Sequence, residues 1–123
     1  MAADPSRIEL RLSADPRFLP GIAGAVAHFA DRAGLDLAGQ AELGAAAEAA
    51  FHRMATMLDA PGGMFGIIVE DFADRVEVTF EYEGQVWPAG GEKIFSGVDR
   101  VRQDAHGRFS RLILTQFIAA HRG

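Results

Sequence analysis

Glu48 and His52 are the residues whose types and spacing most suggest chemistry. They lie four positions apart, a spacing that places two side chains on one face of a helix. A carboxylate beside an imidazole can move protons, share a hydrogen bond or hold a transition metal. A metal would need further ligands, and His28, His106 and His121 stand in other segments at no motif spacing. We therefore expect no metal site, and acid–base catalysis competes with a structural or partly solvated pair.

The pair falls late in a predicted helix that Asp36 can cap and that ends before Pro61. Gly44 through Ala47, with Ala49 and Ala50, give one flank small residues that allow close approach to a sheet or a second helix. The predicted apolar face of this helix is Leu37, Ala41, Leu43, Ala47, Phe51, Met54 and Leu58.

An earlier strand and helix precede it. Alternating apolar and charged residues predict a strand from Arg7 to Ser13. Asp15-Pro16 then favours a helix opening, with the true start a few residues later because Pro20 sits early in the pattern. Gly34 suits the left-handed position that ends such a helix.

Two predicted hairpins follow. The first joins a short strand at Phe65–Val69 to Arg75–Glu83, and the second joins Val98–Gln103 to Phe109–Ile118 through His106-Gly107. The last strand is apolar on both faces, which predicts an interior position in the sheet. This order predicts an α+β two-layer sandwich, with a mostly antiparallel sheet of about five strands and two long helices on one face. We expect one domain over residues 1–123, with a core of about 7–118.

Composition narrows the classes of function. The chain has 49% hydrophobic and 24% charged residues, as ordinary globular proteins do. A net charge of -5 and a single lysine, Lys93, argue against nucleic acid as a partner. The absence of cysteine excludes disulfides and thiolate chemistry. The first residues resemble no secretory leader, and no apolar run has membrane-spanning length, so we expect a cytoplasmic protein without a membrane partner.

Two degraded motifs carry a resemblance to a known family. The sequence Glu48-Ala49-Ala50-Phe51-His52 is similar to a Glu-Ala-x-x-Asn box, and Tyr82-Glu83-Gly84-Gln85-Val86 is similar to Asp-x-Gly-x-Gly. With the opening phrase Ser13–Leu19, they resemble the anti-sigma-factor serine kinases of the regulator-of-sigma-B type, within the histidine-kinase/gyrase/Hsp90 ATPase fold. In that family the glutamate is the base, the asparagine holds magnesium, and the aspartate reads the adenine of ATP.

The departures from these boxes bear on nucleotide binding. His52 replaces the asparagine, and imidazole is a poor ligand for magnesium, which prefers oxygen donors. Tyr82 replaces the aspartate and cannot accept the adenine hydrogen bond as a carboxylate would. Val86 adds a branched side chain where the second glycine permits close approach. Among the positions that contact the nucleotide or its magnesium in the family, only Glu48 and Gly84 match, so Glu48 is vestigial, and we expect neither ATP nor magnesium to bind.

The resemblance also implies a missing lid. In the family, a lid and a helix wrap the triphosphate, whereas here only Trp87–Gly97 separates the second box from the next strand. Trp87 is equally well explained as an interface anchor or as a plug of the vacated pocket. The altered pocket positions are therefore Glu48, His52, Tyr82, Gly84, Val86 and Trp87.

Surface residues suggest further contacts. Glu70, Asp71, Glu77, Glu81 and Glu83 form an acidic set that is either a docking surface for a basic partner or the solvated side of a sheet. Phe51, Met54 and Met57 are expected in the core rather than on an adaptable binding surface. Gly62-Gly63 is predicted to be a turn, because no helix follows it.

Three functional hypotheses follow. The first is a non-catalytic, transcription-regulating interaction module that resembles an anti-sigma factor and binds a sigma factor or an anti-anti-sigma-like domain. Homodimer formation through the first strand and first helix is a further expectation. The second is an active ATP-dependent anti-sigma serine/threonine kinase. The third is a small-molecule sensor whose altered pocket is lined by His52 and Tyr82.

Overall fold

The computed structural model describes residues 6–86 and 97–118, which form two helices and one five-stranded antiparallel sheet. The strand order is β1-β2-β3-β5-β4, so β5 is an interior strand, as predicted. The α+β two-layer sandwich is confirmed. In chain order the elements are β1 (Arg7–Ser13), a 3-10 turn (Pro16–Phe18), α1 (Leu19–Ala33), α2 (Leu37–Ala55), β2 (Met64–Asp71), β3 (Arg75–Glu83), β4 (Arg100–His106) and β5 (Phe109–Phe117).

Local capping explains where the helices begin and end. The Asp15 carboxylate accepts from the Arg17 amide at 2.9 Å and caps the 3-10 turn, so α1 begins later than Asp15, as Pro20 predicted. Gly34 ends α1 with φ of 95°, a left-handed conformation that suits glycine. Asp36 caps α2 by accepting from the Gly39 amide at 2.7 Å. Neither helix in this described part is long and apolar enough to cross a bilayer.

The core lies between the helices and one face of the sheet. Both helices pack mainly on the interior strands: α1 contacts β2 and β3, and α2 contacts β3 and β5. Phe51 contacts Phe65 edge-on at 5.7 Å between ring centroids, and Phe65 stacks on Phe80 at 6.0 Å. Met54 and Met57 are buried in the same core, as predicted. This aromatic cluster joins the second half of α2 to the end of β3.

The predicted apolar face of α2 was wrong at its first turns. Leu37 is 82% exposed and Ala41 is also exposed, whereas Leu43 is buried. At 3.6 residues per turn, Leu37 and Ala41 lie about 120° and about 160° around the helix from Leu43. The buried stripe instead begins at Gly39. Leu58, the last predicted member, lies beyond the helix and pairs with Gly84 in an isolated β-bridge.

The face of the sheet away from the helices, here called the outer face, is covered by ion pairs. Glu77 accepts from Arg75 Nε at 3.0 Å and from Arg102 Nη2 at 3.1 Å, so only 8% of the residue is exposed. Thr79 on the same face is 7% exposed. The prediction of a wholly solvated face was therefore wrong at these positions, because Arg75 reaches along its own strand and Arg102 reaches from β4, two strands away.

The alternative prediction, an acidic docking surface for a basic partner, gains little support from the structure. Glu70 pairs with Arg7 at 3.7 Å and Glu83 pairs with Arg108 at 2.9 Å. The Asp71 carboxylate accepts from a backbone amide of residue 6 at 2.6 Å. Most of the acidic set is thus compensated within the chain, which leaves little uncompensated charge for a basic partner.

Glu77→Gln is expected to lower the free energy of unfolding by about 2 kcal/mol, because a neutral amide replaces the carboxylate that two guanidinium groups share. The Glu77 carboxylate also holds the pKa of Arg75 above its usual value through their hydrogen bond. Urea unfolding measures the change. Glu81→Gln is the matched control, because Glu81 has no ion pair within 4.0 Å among the described residues. It should change stability by less than about 0.5 kcal/mol, and equal losses in both variants would contradict the assignment.

Candidate functional site

Glu48 and His52 lie on the exposed side of α2, while Phe51 between them is 1% exposed. The spacing therefore does place them on a helix face, as predicted. Both side chains are exposed to solvent, which favours the partly solvated pair over acid–base catalysis. Within residues 6–86 and 97–118, neither side chain has a hydrogen bond or ion pair, and His52 contacts the ring of Phe51 edge-on at 5.7 Å between centroids. The pair lacks the burial that usually tunes catalytic groups.

A metal would find little support in the described structure. Across residues 6–86 and 97–118, no three His, Asp or Glu side chains group closely enough to hold an ion. His28 lies on α1 and His106 ends β4, so both are on elements other than that of His52. His121 lies outside the described residues.

Tyr82 occupies the inner side of the last residues of β3. It is 1% exposed and pairs in register with Phe65 on one side and Ser110 on the other. Its hydroxyl donates a hydrogen bond of 2.9 Å to the backbone carbonyl of Gln85. The aromatic ring therefore belongs to the core, and its polar group is satisfied within the same turn.

Close packing of two backbone segments requires a glycine at position 84. A Cβ added there would lie 2.1 Å from the carbonyl oxygen of Met57. The chain pairs here with the segment after α2, since the Gln85 amide donates to Met57 at 2.9 Å and the Asp59 amide donates to Glu83 at 3.0 Å. The protein's own backbone therefore occupies the space beside this glycine.

The described part of the structure ends at Val86 and resumes at Gly97. Val86 is 55% exposed at the end of the first described range. Trp87, both of its proposed roles and the predicted lid deletion fall on residues 87–96, which lie outside the described residues. They stay predictions.

The structure places His52 and Tyr82 in opposite environments. His52 is exposed, whereas Tyr82 is enclosed with its hydroxyl already hydrogen-bonded. A cavity of about 250 Å³ near the end of β3 touches Tyr82 but is not lined by His52. The structure therefore does not support a small-molecule pocket that is lined by both His52 and Tyr82.

Sequence reasoning missed Gln116, which is fully buried on the helix-facing side of β5. Its side-chain oxygen accepts from the Asp99 amide at 3.0 Å, and its amide nitrogen donates to Glu42 at 3.3 Å and to the carbonyl of Gly97 at 3.4 Å. The signal was present, because Gln116 continues the alternation of Leu112 and Leu114. A polar side chain in that phase indicates a buried clasp between strand, loop and helix.

Burial raises the pKa of the Tyr82 hydroxyl above its ordinary value of 10.0. Since the unfolded chain would titrate near that ordinary value, stability is expected to be unaffected below about pH 10 and to fall above it. Tyr82 is the one tyrosine of the sequence, so tyrosinate absorbance reports it alone. The midpoint of this titration should lie above about pH 10 in the folded protein and at about pH 10 in the protein unfolded by denaturant. A folded midpoint at or below that of the denatured chain would contradict the buried position.

Comparison with solved structures reveals a similarity of fold. No protein-family model matches the sequence, and no curated protein matches it significantly. Among solved structures, the fold is similar to the crystal structure of the RsbU and RsbW domains of Rv1364c from Mycobacterium tuberculosis, with a TM-score of 0.73 and 13% sequence identity. The match covers 90% of this chain and 31% of that chain. The protein therefore has an RsbW-like fold.

Proposed function

We propose that this protein is a non-catalytic regulatory module that resembles an anti-sigma factor and whose ATP site has been dismantled. The main observation that supports this proposal is the buried position of Tyr82. At the position where the resembled family has its adenine-reading aspartate, a tyrosine ring is enclosed in the core and its hydroxyl is engaged with Gln85. No carboxylate is available there to accept from a base.

The neighbouring positions support the same proposal. Gly84 packs on the carbonyl of Met57, which leaves no room for a ligand against that backbone. His52 offers an imidazole where the family offers an amide oxygen, and it stands exposed on α2. Three positions of the two boxes thus favour a fold that is retained without its nucleotide chemistry.

The partner class comes from the RsbW-like fold. We propose a sigma factor or an anti-anti-sigma-like domain as the protein partner, in the cytoplasm, with homodimer formation through β1 and α1. Because the proposed module binds no cofactor, its association with the partner protein should not depend on ATP. An intact member would phosphorylate its partner and would depend on ATP to do so.

The alternative is an active serine/threonine-protein kinase. One observation favours it: Glu48 is exposed on α2 at the position of the family's base, so the carboxylate is accessible. On this alternative, Glu48→Gln abolishes phosphate transfer without loss of stability.

The test pairs purified protein with purified sigma factors and anti-anti-sigma domains of its own genome, with and without magnesium-ATP. The module predicts a complex by light scattering that is unchanged by nucleotide, and no transfer of labelled phosphate. Glu48→Gln should bind as the wild type does. If the wild type transfers phosphate to a partner and Glu48→Gln does not, the kinase hypothesis is correct and the non-catalytic module is rejected. Failure to bind any member of either partner class would contradict the anti-sigma-like role.

A further inference from the structure

The cavity of about 250 Å³ lies at one end of the sheet, between outer-face residues of the strands and residues of the segment 58–63 that follows α2. Arg11 and Glu81 line it, and both lie between residues that face the core, so their side chains project outward. The altered ATP positions on α2 lie on the other side of the sheet. Tyr82 lines this cavity from the end of β3, whereas Glu48 and His52 do not.

A glycine creates the gap between these two charges. Arg11 pairs in register with Gly66 on β2, and Gly66 pairs with Glu81 on β3. Strands lie about 4.8 Å apart, so the backbones of Arg11 and Glu81 are about 10 Å apart with no side chain between them. The Arg11 guanidinium leans over this gap, with Nη1 3.9 Å from where a Gly66 Cβ would lie.

Arg11 and Glu81 are unusual on this face. Arg7, Arg75, Arg102, Arg108 and Arg111 each pair with a carboxylate, and Arg100 lies over the Phe117 ring at 5.4 Å. Within the described residues, neither Arg11 nor Glu81 has an ion pair within 4.0 Å. Opposite charges therefore face each other across a space that neither closes.

The rest of the cavity is apolar or acidic. Met64 is 53% exposed here, and Leu58 and Phe109 complete an apolar wall. Glu83 adds a second carboxylate beside Glu81, already paired with Arg108. The volume is below the range of drug-sized pockets, about 300–1,000 Å³, and suits a smaller molecule.

We propose that this cavity binds a small zwitterion of amino-acid or dipeptide size with an apolar side chain. Its carboxylate pairs with Arg11 as a charge-assisted, two-pronged acceptor. Its ammonium donates to Glu81, and its side chain lies against Met64 and Phe109. The ligand supplies a charge partner within contact distance for Arg11 and for Glu81, whose nearest cross-strand cation, Arg111, is paired with Asp104.

The test is a titration of ¹⁵N-labelled full-length protein followed by amide chemical shifts. The probes are L-leucine, L-methionine and glycyl-L-leucine, compared with N-acetyl-L-leucine, which lacks the ammonium, and L-leucinamide, which lacks the carboxylate. The proposal expects saturable shifts at the ends of β1, β2 and β3 nearest the cavity at millimolar concentrations. Each blocked analogue should bind at least about tenfold more weakly, the usual effect of losing one charged hydrogen bond.

Variants assign the two charges. Arg11→Gln should remove the preference for the free carboxylate, and Glu81→Gln should remove the preference for the ammonium. Arg100→Gln, on the same face but away from the cavity, is the matched control and should leave binding unchanged. The amide spectrum of each variant reports whether it folds. Absence of saturable shifts, shifts mapped elsewhere, or equal binding of the blocked analogues to the wild type would overturn the proposal.

Discussion

Tyr82→Asp is expected to lower the free energy of unfolding by about 4 kcal/mol at neutral pH, although it restores the aspartate of the resembled family. The substitution removes a buried aromatic ring and places a carboxylate in the same enclosed position. That loss approaches the whole stability of many domains, which is about 5–15 kcal/mol. The variant should bind no nucleotide, since Gly84 remains packed on Met57.

The pH dependence separates the two causes of this loss. Burial raises the pKa of an introduced carboxyl above its unfolded value, so the folded state holds the extra proton and stability falls as pH rises. The variant should therefore regain part of its stability as pH falls toward about 4. Tyr82→Phe is the control and should cost about 1 kcal/mol through loss of the hydrogen bond to Gln85. Urea unfolding measures both variants, and a fully stable Tyr82→Asp protein that binds ATP would contradict the enclosed position.

Gly84→Ala is expected to lower the free energy of unfolding by about 3 kcal/mol. Its Cβ would meet the Met57 carbonyl oxygen at 2.1 Å and the Leu58 Cα at 3.0 Å, which are backbone atoms that cannot rotate away. Gly84 is not among the described glycines with positive φ, so steric overlap is the cause rather than backbone conformation.

Gly24→Ala is the matched control for this position. No atom lies within 4 Å of a Cβ added at Gly24, and the residue is inside α1, where alanine is favoured over glycine by about 1 kcal/mol. The control should therefore gain stability while Gly84→Ala loses it. Thermal unfolding of both proteins checks the difference, and parallel effects in the two variants would count against the close approach at Gly84.

Much of the fold could be predicted because local signals agree with the tertiary structure. Asp36 caps α2, Gly34 ends α1, and the alternation from Arg7 to Ser13 gives the limits of β1. The inward positions of β3 were also readable from their period of two. Each of these features depends on neighbouring residues in the chain, so a single sequence contains the information.

Other features depend on which strands become neighbours. Glu77 is buried by Arg102, which lies 25 residues away, and alternation alone predicted a solvated side chain. The gap at Gly66 requires the register that joins Arg11, Gly66 and Glu81. Of the candidate site, the helical spacing of Glu48 and His52 was predictable, but their exposure followed from how α2 packs on the sheet.

A calorimetric titration of the purified protein with magnesium-ATP tests the dismantled site most directly. The altered residues Tyr82 and His52, together with the packing of Gly84 on Met57, predict no saturable heat up to millimolar nucleotide. The melting temperature should likewise be unchanged, since a ligand that binds the folded state must raise it. Saturable binding with a dissociation constant below about 100 μM, about −5.5 kcal/mol, would contradict the account.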